Sequence, residues 1–386
     1  MKIPLGKPYL KEEAALEKIK EVLESRWISG GPRIKEFEDC IQKYNNDPEG
    51  YYVAVANGTV AIEMGLLAIN GGKRLKSTDE VIVPSWSWVA SGFAVNNAGT
   101  AVQGLVDKQL SKFEYGVPYI EDIKSRITPN TKAIILVHQM GIPCDLDAFK
   151  ELNIPIIEDS ACALGSEYKG RKIGNSDNIV TYSFQARKCL TTGEGGMIVV
   201  RDKDTAEWLK SYRAFGTNIS PLARDKAKFL LKEQFDFIGN NLKMADIPCA
   251  LGISQIRFFD EEVELRSEAG EYYNYLINEQ LHDYGVSIGN IVPDYCTRYN
   301  WQNFHLILDD KYNRDQVVDL LRKRNIGCKW DIQAIHVEPA YNDNTNLPQT
   351  MKYHNNGMWL GFYAEITREE QEYVINNLKE ILDELR

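Results

Sequence analysis

The residue with the clearest chemical potential in this sequence is Lys188, which lies between two apolar runs. Residues 179–184 predict a buried strand, and residues 196–200 form a second, β-branched run. Loss of solvation between two buried strands favours the neutral amine, which can attack a carbonyl carbon. The pattern is typical of a lysine that holds an aldehyde cofactor as a Schiff base, although most loop lysines are simply solvated.

Two further features favour this chemistry. The turn from Thr191 to Gly196 is rich in glycine, which permits close approach of the backbone. Upstream, residues 155–159 predict a buried strand that ends in carboxylates, the last of them Asp159. Enzymes that use pyridoxal 5′-phosphate (PLP) pair a lysine with an acid that keeps the pyridine nitrogen protonated. Lys188 and Asp159 are therefore the predicted catalytic residues, and both would also bind the cofactor.

The motifs around these residues resemble the sugar aminotransferase family of PLP-dependent enzymes, the DegT/StrS type. One motif is Glu-Asp-Ser-Ala-Cys-Ala-Leu-Gly at 158–165, and the other is Ser-Phe-x-x-x-Lys-x-x-Thr-Thr-Gly-Glu-Gly-Gly at 183–196. The resemblance runs along most of the chain and implies a fold-type I enzyme that aminates keto sugars attached to nucleotides. Cys162 departs from the family, which usually has glutamine, histidine or glutamate near the ring oxygen of the cofactor. A thiol is a weak donor, so the role of Cys162 stays open.

A phosphate site is predicted where the strand at 51–56 gives way to a helix at Asn57-Gly58-Thr59. The first amides of a helix lack partners and the helix dipole adds positive potential, so this turn can cradle a phosphate. An ordinary helix cap is the commoner role of such a turn. The resemblance favours phosphate binding by Gly58 and Thr59, and it also places Ser183 at the phosphate.

Three more site residues follow from the resemblance. Trp88, in a Pro-Ser-Trp-Ser-Trp segment, would cover one face of the cofactor ring, although tryptophans at a strand end are usually core residues. Asn241, in a Gly-Asn-Asn-Leu-Lys-Met segment, would reach the phosphate of the other subunit, which implies a homodimer with shared active sites. His336 is a further candidate, either as a substrate contact or as a packing residue.

Strands alternate with helices over residues 50–250, which favours a mostly parallel sheet flanked by helices. With the resemblance, the predicted fold class is α/β, a fold-type I PLP transferase. Its large domain would have a mixed, mostly parallel sheet, and its smaller C-terminal domain would be α+β. We expect the N-terminal helix and the large PLP-binding domain in 1–255, and a long connecting helix and the small domain in 256–386.

Helices are predicted at both ends of the chain. Residues 9–25 predict an amphipathic helix, with Leu16, Ile19 and Leu23 on its apolar face. Near the C-terminus, Thr367 is followed three residues later by Glu370, a spacing that is typical of a capping box.

Composition argues against several other classes of protein. The 386-residue chain has a formal net charge of −10 and no basic block, so no nucleic-acid partner is expected. Its seven cysteines and five histidines show no metal-ligand spacing, and no metal is expected. There is no apolar run long enough to span a membrane and no signal-peptide core, so we expect a cytoplasmic protein without membrane attachment.

The predicted reaction is a ping-pong transamination. The expected donor is L-glutamate, released as 2-oxoglutarate, and the expected acceptor is a nucleotide-linked keto-deoxy sugar, in surface polysaccharide, lipopolysaccharide or glycoconjugate biosynthesis. Lys188 would move the proton while Asp159 keeps the ring nitrogen protonated. One alternative is a PLP-dependent sugar dehydratase, whose branch has histidine in place of the lysine. Another is a PLP-binding regulator or scaffold without turnover. A nicotinamide enzyme is disfavoured because no Gly-x-Gly-x-x-Gly follows a strand.

Overall fold

The structure is a computed structural model that describes residues 1–100, 105–107 and 120–386. The helices are α1 (Glu12–Ser25), α2 (Pro32–Tyr44), α3 (Gly58–Ile69), α4 (Val89–Ala98), α5 (Ile120–Arg126), α6 (Leu146–Phe149), α7 (Lys203–Tyr212), α8 (Pro221–Lys226), α9 (Asp246–Ile256), α10 (Phe259–Gln280), α11 (Arg314–Lys323), α12 (Pro348–Asn356) and α13 (Arg368–Glu384). The strands are β1 (Tyr51–Val55), β2 (Glu80–Pro84), β3 (Leu105–Val106), β4 (Thr131–Val137), β5 (Ile156–Asp159), β6 (Glu167–Tyr168), β7 (Arg171–Lys172), β8 (Ile179–Ser183), β9 (Gly196–Val200), β10 (Val286–Ile288), β11 (Cys296–Arg298), β12 (Phe304–Leu308), β13 (Cys328–Trp330) and β14 (Gly357–Leu360).

The larger sheet joins seven of the described strands in the order β1-β9-β8-β5-β4-β2-β3. From β8 to β3 every neighbouring pair is parallel. Only β9 is antiparallel to its neighbours, which are β8 and β1. The predicted α/β fold class, with a mixed and mostly parallel sheet flanked by helices, is confirmed.

The central strands of this sheet are apolar on both faces because both faces are covered. On β4, Ile134 and Leu136 belong to one core cluster, whereas Ala133 and Ile135 belong to another. Successive residues of a strand point to opposite faces, so continuous apolar runs are typical of buried parallel strands. Since β5 and β8 run in the same direction, the residues that follow them meet at one edge of the sheet.

A second sheet, β10-β12-β14-β13, is antiparallel and has its own apolar core, to which α10, α11 and α13 contribute. The small sheet β11-β6-β7 links the two parts of the chain. The long helix expected after residue 255 is α10, which begins at Phe259. The predicted capping box is confirmed at the start of α13, where Thr367 and Glu370 bind each other's backbone amides. The domain division at 255/256 stays a prediction.

Helix α1 forms where the sequence predicted a helix, but in the single chain its predicted apolar face is not the buried one. The buried residues are Ala15 and Val22. Leu16 and Leu23 are 60% and 50% exposed in the single chain. The helix lies against α9. Periodicity shows that an apolar stripe exists, but it does not show which stripe meets the same chain.

A buried aspartate joins the two sheets. Asp331 follows β13 and is 1% exposed. Its Oδ2 accepts a hydrogen bond from Trp86 Nε1 at 2.9 Å, and its Oδ1 accepts one from Trp359 Nε1 at 3.0 Å. Trp86 lies just beyond β2 in the larger sheet, whereas Trp359 is on β14. One carboxylate therefore fixes the loop after β2 against the second sheet.

Replacing Asp331 with asparagine should destabilise the fold, because an amide offers one acceptor atom where the carboxylate offers two. We expect Asp331→Asn to lower the free energy of unfolding by about 1–3 kcal/mol, the cost of a buried donor without a partner. Urea unfolding followed by tryptophan fluorescence measures this change. The matched control is Asp283→Asn, whose carboxylate is 95% exposed. Equal stability of the two variants would contradict the role given to Asp331.

Candidate active site

Asp159 is the last residue of β5 and is 5% exposed. Its Oδ2 accepts a hydrogen bond from Ser91 Oγ at 2.8 Å, and its Oδ1 accepts one from the Ala161 amide at 3.2 Å. Ser91 is in the first turn of α4, and its Oγ lies 2.9 Å from Ser87 Oγ. Among the described residues, these neutral donors orient the carboxylate and no cation lies within 4 Å of it. A buried carboxylate without a cation suits a positively charged ligand atom.

Lys188 lies in the loop that joins β8 to β9, and hydrogen bonds close this loop at its base. The Phe184 amide donates to Gly195 O at 2.8 Å, and the Thr192 amide donates to Phe184 O at 2.9 Å. The Lys188 side chain is half-buried, and its Nζ donates to Cys162 Sγ at 3.2 Å. No described carboxylate lies within 4 Å of this amine.

The role of Cys162 could not be assigned from the sequence, and the structure places its thiol against the Lys188 amine. Cys162 is in the turn that follows β5, and its carbonyl accepts a hydrogen bond from Asn300 Nδ2 at 2.7 Å. The turn that begins at Asp159 therefore also carries the contact to Lys188. Through this turn, the two predicted catalytic residues belong to one site.

The predicted phosphate residues meet at the N-terminus of α3. Asn57 Oδ1 caps the helix by accepting a hydrogen bond from the Val60 amide at 3.0 Å. The amides of Gly58 and Thr59 are at the helix end, where intrahelical partners are lacking. A Cβ built on Gly58 would lie 2.8 Å from Ser183 Cβ, so only glycine fits this approach without a shift. Backbone amides at a helix start, together with a hydroxyl, are donors that suit a phosphate.

Trp88 and Asn241 are exposed in the single chain. Trp88 precedes α4 and is 48% exposed, whereas Trp86 is 3% exposed. The Trp88 indole can therefore stack on a ligand. The backbone carbonyl of Trp88 accepts a hydrogen bond from the Ser91 amide at 3.1 Å. Asn241 Oδ1 accepts a hydrogen bond from Lys243 Nζ. The described hydrogen bonds do not connect the Asn241 side chain with the phosphate residues of its own chain.

His336 lies in the interior, at 2% exposure. Its Nδ1 is 2.7 Å from Ser85 Oγ, and its backbone amide donates to the same oxygen at 3.3 Å. Burial lowers the pKa of His336, although the charges of Asp343 and Asp107 oppose this lowering. The burial fits the packing role that the sequence had left open beside the substrate contact.

A buried pair behind Asp159 was not predicted from the sequence. Glu158 and His138 are fully buried, and His138 Nε2 lies 3.0 Å from Glu158 Oε2. His138 Nδ1 accepts a hydrogen bond from the Cys144 amide at 2.9 Å, so Nε2 carries the proton that Glu158 accepts. Burial raises the pKa of Glu158, but hydrogen bonds, first among them that from His138, outweigh burial and hold it below its usual value. The signal in the sequence was a pair of polar residues inside apolar runs.

Comparison with known proteins identifies the family. The sequence model of the DegT/DnrJ/EryC1/StrS aminotransferase family matches residues 10–379. This chain belongs to that family. The resemblance drawn from the motifs at 158–165 and 183–196 is thereby confirmed, and the protein is an aminotransferase.

Relatives of this aminotransferase match over nearly their whole length. GDP-perosamine synthase from Escherichia coli O157:H7 is 30% identical over 384 residues, which cover 98% of this chain and 98% of that protein. UDP-4-amino-4-deoxy-L-arabinose–oxoglutarate aminotransferase from Shewanella sediminis is 30% identical over 353 residues, which cover 89% and 86%. Among solved structures, the aminotransferase TlmJ from Streptoalloteichus hindustanus has a TM-score of 0.87 and 26% identity, with 99% of each chain covered.

Aminotransferases of this family depend on PLP, and the site fits that cofactor. The carboxylate of Asp159 is buried, and no cation of the described ranges lies within 4 Å of it, as suits a partner for a protonated ring nitrogen. Gly58 lies so close to Ser183 that a side chain at position 58 would clash with it. The Lys188 amine has a thiol rather than a carboxylate as its neighbour.

Ser91 is the residue whose loss should disturb Asp159 without removing a predicted cofactor ligand. We expect Ser91→Ala to lower kcat/KM about tenfold, because a charge-assisted hydrogen bond that orients the carboxylate is lost. Ser91→Thr keeps a hydroxyl and should restore most of the activity. Steady-state kinetics measures both effects. The control is Ser87→Ala, which removes a hydroxyl that contacts Ser91. An equal loss in both alanine variants, or no rescue by threonine, would exclude this positioning role.

Proposed function

We propose that this aminotransferase uses PLP to transfer the amino group of L-glutamate to a nucleotide-linked keto-deoxy sugar. The observation that carries the proposal is the meeting of three groups at one edge of the larger sheet. These are the half-buried Lys188 amine, the Asp159 carboxylate without a cation, and the amide-lined Gly58–Thr59 turn. Each of these groups suits a different part of the same cofactor.

The cofactor would be held by five groups in addition to Lys188. Asp159 would accept a hydrogen bond from the ring nitrogen. The amides of Gly58 and Thr59 and the hydroxyl of Ser183 would donate to the phosphate. The exposed indole of Trp88 would cover one face of the ring. When bound, PLP supplies an electron sink for negative charge at the substrate carbon.

Lys188 would both hold the cofactor and move a proton. Its Nζ contacts Cys162 Sγ, and a thiol is a weak hydrogen-bond partner. The amine can therefore leave the thiol at small cost and turn towards the substrate carbon. There Lys188 Nζ removes a proton as general base and returns it as general acid. Asp159 holds the ring N–H throughout.

The substrate class is suggested by the names of the relatives. One relative is named for GDP-perosamine, and the other for UDP-4-amino-4-deoxy-L-arabinose and oxoglutarate. Both names support a nucleotide-linked sugar as acceptor, and the second supports L-glutamate as donor. A product of this kind would serve surface polysaccharide, lipopolysaccharide or glycoconjugate biosynthesis. His336 is buried, which favours a packing role over direct substrate contact.

We also propose a homodimer in which Asn241 completes the site of the partner. In the single chain Asn241 is exposed, and apolar side chains of the preceding segment 215–238 are exposed as well. Phe215, Phe235 and Ile238 are 52%, 60% and 95% exposed. The exposed leucines of α1 add to this apolar surface. Apolar groups exposed in such number are typical of protein interfaces.

The cysteines bear on the expected compartment, and the two sheets bear on the expected domains. All seven cysteines are free thiols, which supports a reducing, cytoplasmic compartment. In the described ranges, no helix is long and apolar enough to cross a membrane, and no cluster of three His, Cys, Asp or Glu residues could hold a metal ion. The proposed domains are 1–255 and 256–386, with one main sheet in each.

The alternatives fit less well. The sugar dehydratase branch has histidine where this chain has Lys188. A regulator or scaffold without turnover would not need a lysine, an aspartate and a phosphate cradle at one site. A panel of nucleotide-linked keto sugars, with 2-oxoglutarate release as readout, separates turnover from binding alone.

Loss of the Lys188 amine should abolish the reaction. The purified protein should show a visible absorption band of the bound cofactor, and L-glutamate should bleach this band with release of 2-oxoglutarate. We expect Lys188→Ala to lose the band and to lower turnover by at least about a thousandfold, because the general base is removed. Lys203→Ala, at an exposed lysine of α7, should behave as the wild type. Band and turnover retained in Lys188→Ala would show that Lys188 is not the catalytic lysine.

Mixing two inactive variants tests whether the active site is shared. A dimer of one Lys188→Ala chain and one Asn241→Ala chain has one intact site if Asn241 acts across the interface. Random pairing of the co-expressed variants should then restore about a quarter of the wild-type activity. Each variant alone at the same concentration is the control. Sedimentation should show a dimer, and a dimer without recovered activity would refute the cross-subunit role.

A further inference from the structure

A second lysine lies on the same side of the molecule as the Lys188 amine. Lys329 is on β13, directly opposite Trp359 on β14, and its Nζ lies 3.8 Å from the centroid of the Trp359 ring. The preceding residue, Cys328, is buried in the core of the second sheet, β10-β12-β14-β13. Strand alternation therefore places Lys329 on the other face, where its charge interacts with Lys188 and Cys162.

Lys329 has no anionic partner among the described residues. No carboxylate there lies within 4 Å of its Nζ, and no hydrogen bond engages the amine. Burial lowers the pKa of Lys329 to about 8, with the charge of Arg187 adding to this effect and that of Asp331 opposing it. A partly buried cation without a counter-ion costs stability, and a bound anion would offset that cost.

Arg187 is a second cation near Lys188, but unlike Lys329 it is exposed. Its guanidinium is exposed, and it forms no ion pair within the described ranges. Arg187, Lys188 and Trp359 line one cavity. Arg187, which has no ion-pair partner in the described ranges, thus forms part of the cavity wall. The Trp359 ring, which Lys329 contacts, forms another part. Like charges held together in this way focus positive potential on a bound anion.

The other cations of the cavity wall are already neutralised. Lys7 Nζ lies 2.7 Å from Glu365 Oε2. Arg266 Nε lies 2.8 Å from Glu262 Oε1, and both groups are buried. The unpaired cations are therefore confined to the part of the cavity next to Lys188.

We propose that Lys329 binds the α-carboxylate of the amino donor, with Arg187 strengthening the positive potential there. This proposal rests on the proposed function. An α-carboxylate is bonded to the same carbon that gives up the nitrogen, so it must lie beside the Lys188 amine. The diphosphate of a nucleotide sugar is also anionic, but a sugar ring separates it from the reacting carbon. The cofactor phosphate has donors of its own at the start of α3.

Two substitutions test the charge of Lys329. Lys329→Met keeps an unbranched chain against Trp359 but removes the charge, and Lys329→Arg keeps the charge. We expect Lys329→Met to raise the apparent dissociation constant of L-glutamate about tenfold to a hundredfold in single-turnover bleaching of the visible band. Lys329→Arg should retain most of the affinity. Lys7→Met removes a paired cation from the same cavity wall and should leave the affinity unchanged.

Calorimetry provides a readout without turnover. Glutarate should bind Lys329→Met with a similar loss of affinity, whereas UDP and GDP, as probes of the diphosphate, should bind as they do to the wild type. L-Glutamine shares the α-carboxylate but has a neutral side chain. Its affinity for Lys329→Met should fall as much as that of L-glutamate.

The outcomes separate this proposal from the proposed function. An equal loss for UDP or GDP would assign Lys329 to the nucleotide and overturn the proposal. A loss confined to L-glutamate would assign Lys329 to the side-chain carboxylate, and unchanged glutarate affinity would exclude any carboxylate contact. If the wild type showed no cofactor band, the proposed function would fail, while glutarate calorimetry would still decide the role of Lys329.

Discussion

The parallel pairing of β5 with β8 is the constraint on which the site depends. Asp159 is level with Thr181 in the register, so Ser183 and the loop that follows it extend just beyond the carboxylate. Strand β9 then returns antiparallel along β8, with Gly196 opposite Ser183, and closes the loop that carries Lys188. The ends of these two adjacent strands therefore place the Asp159 carboxylate, the Ser183 hydroxyl and the Lys188 amine at the same edge of the sheet.

Features that depend on neighbours in the chain could be predicted from the sequence. The apolar runs of β5, β8 and β9 predicted buried strands, and the Thr367–Glu370 spacing predicted the helix start that the structure has. Motifs around Asp159 and Lys188 gave the family. These signals are local, because a strand period or a cap needs only a few consecutive residues.

Contacts between distant segments could not be predicted in this way. Ser91 and Asp159 are 68 positions apart, and only the packing of α4 against the sheet brings them together. The thiol of Cys162 meets Lys188 for a similar reason. The exposed face of α1 illustrates the same limit. The periodicity that predicts Leu16 and Leu23 on an apolar stripe is identical whether that stripe packs against its own chain or against a partner.

The charged groups near the site fall into two classes. Glu158 with His138, and Arg266 with Glu262, are buried and paired, so they stabilise the arrangement of strands and helices. In the part of the chain that the structure describes, Asp159 and Lys329, which are proposed to meet ligands, have no ion-pair partner within 4 Å. Burying a charge without a partner costs stability. An unpaired buried charge in a folded protein is therefore typical of a site that binds a ligand of opposite charge.

The Asp331 carboxylate has a mechanical consequence. Because it binds one indole from each sheet, the strand edge that carries Lys329 and the loop that carries Trp88 cannot shift independently. The distance between the strand of Lys329 and the loop of Trp88 is therefore held constant, and any ligand that binds between them must fit that distance.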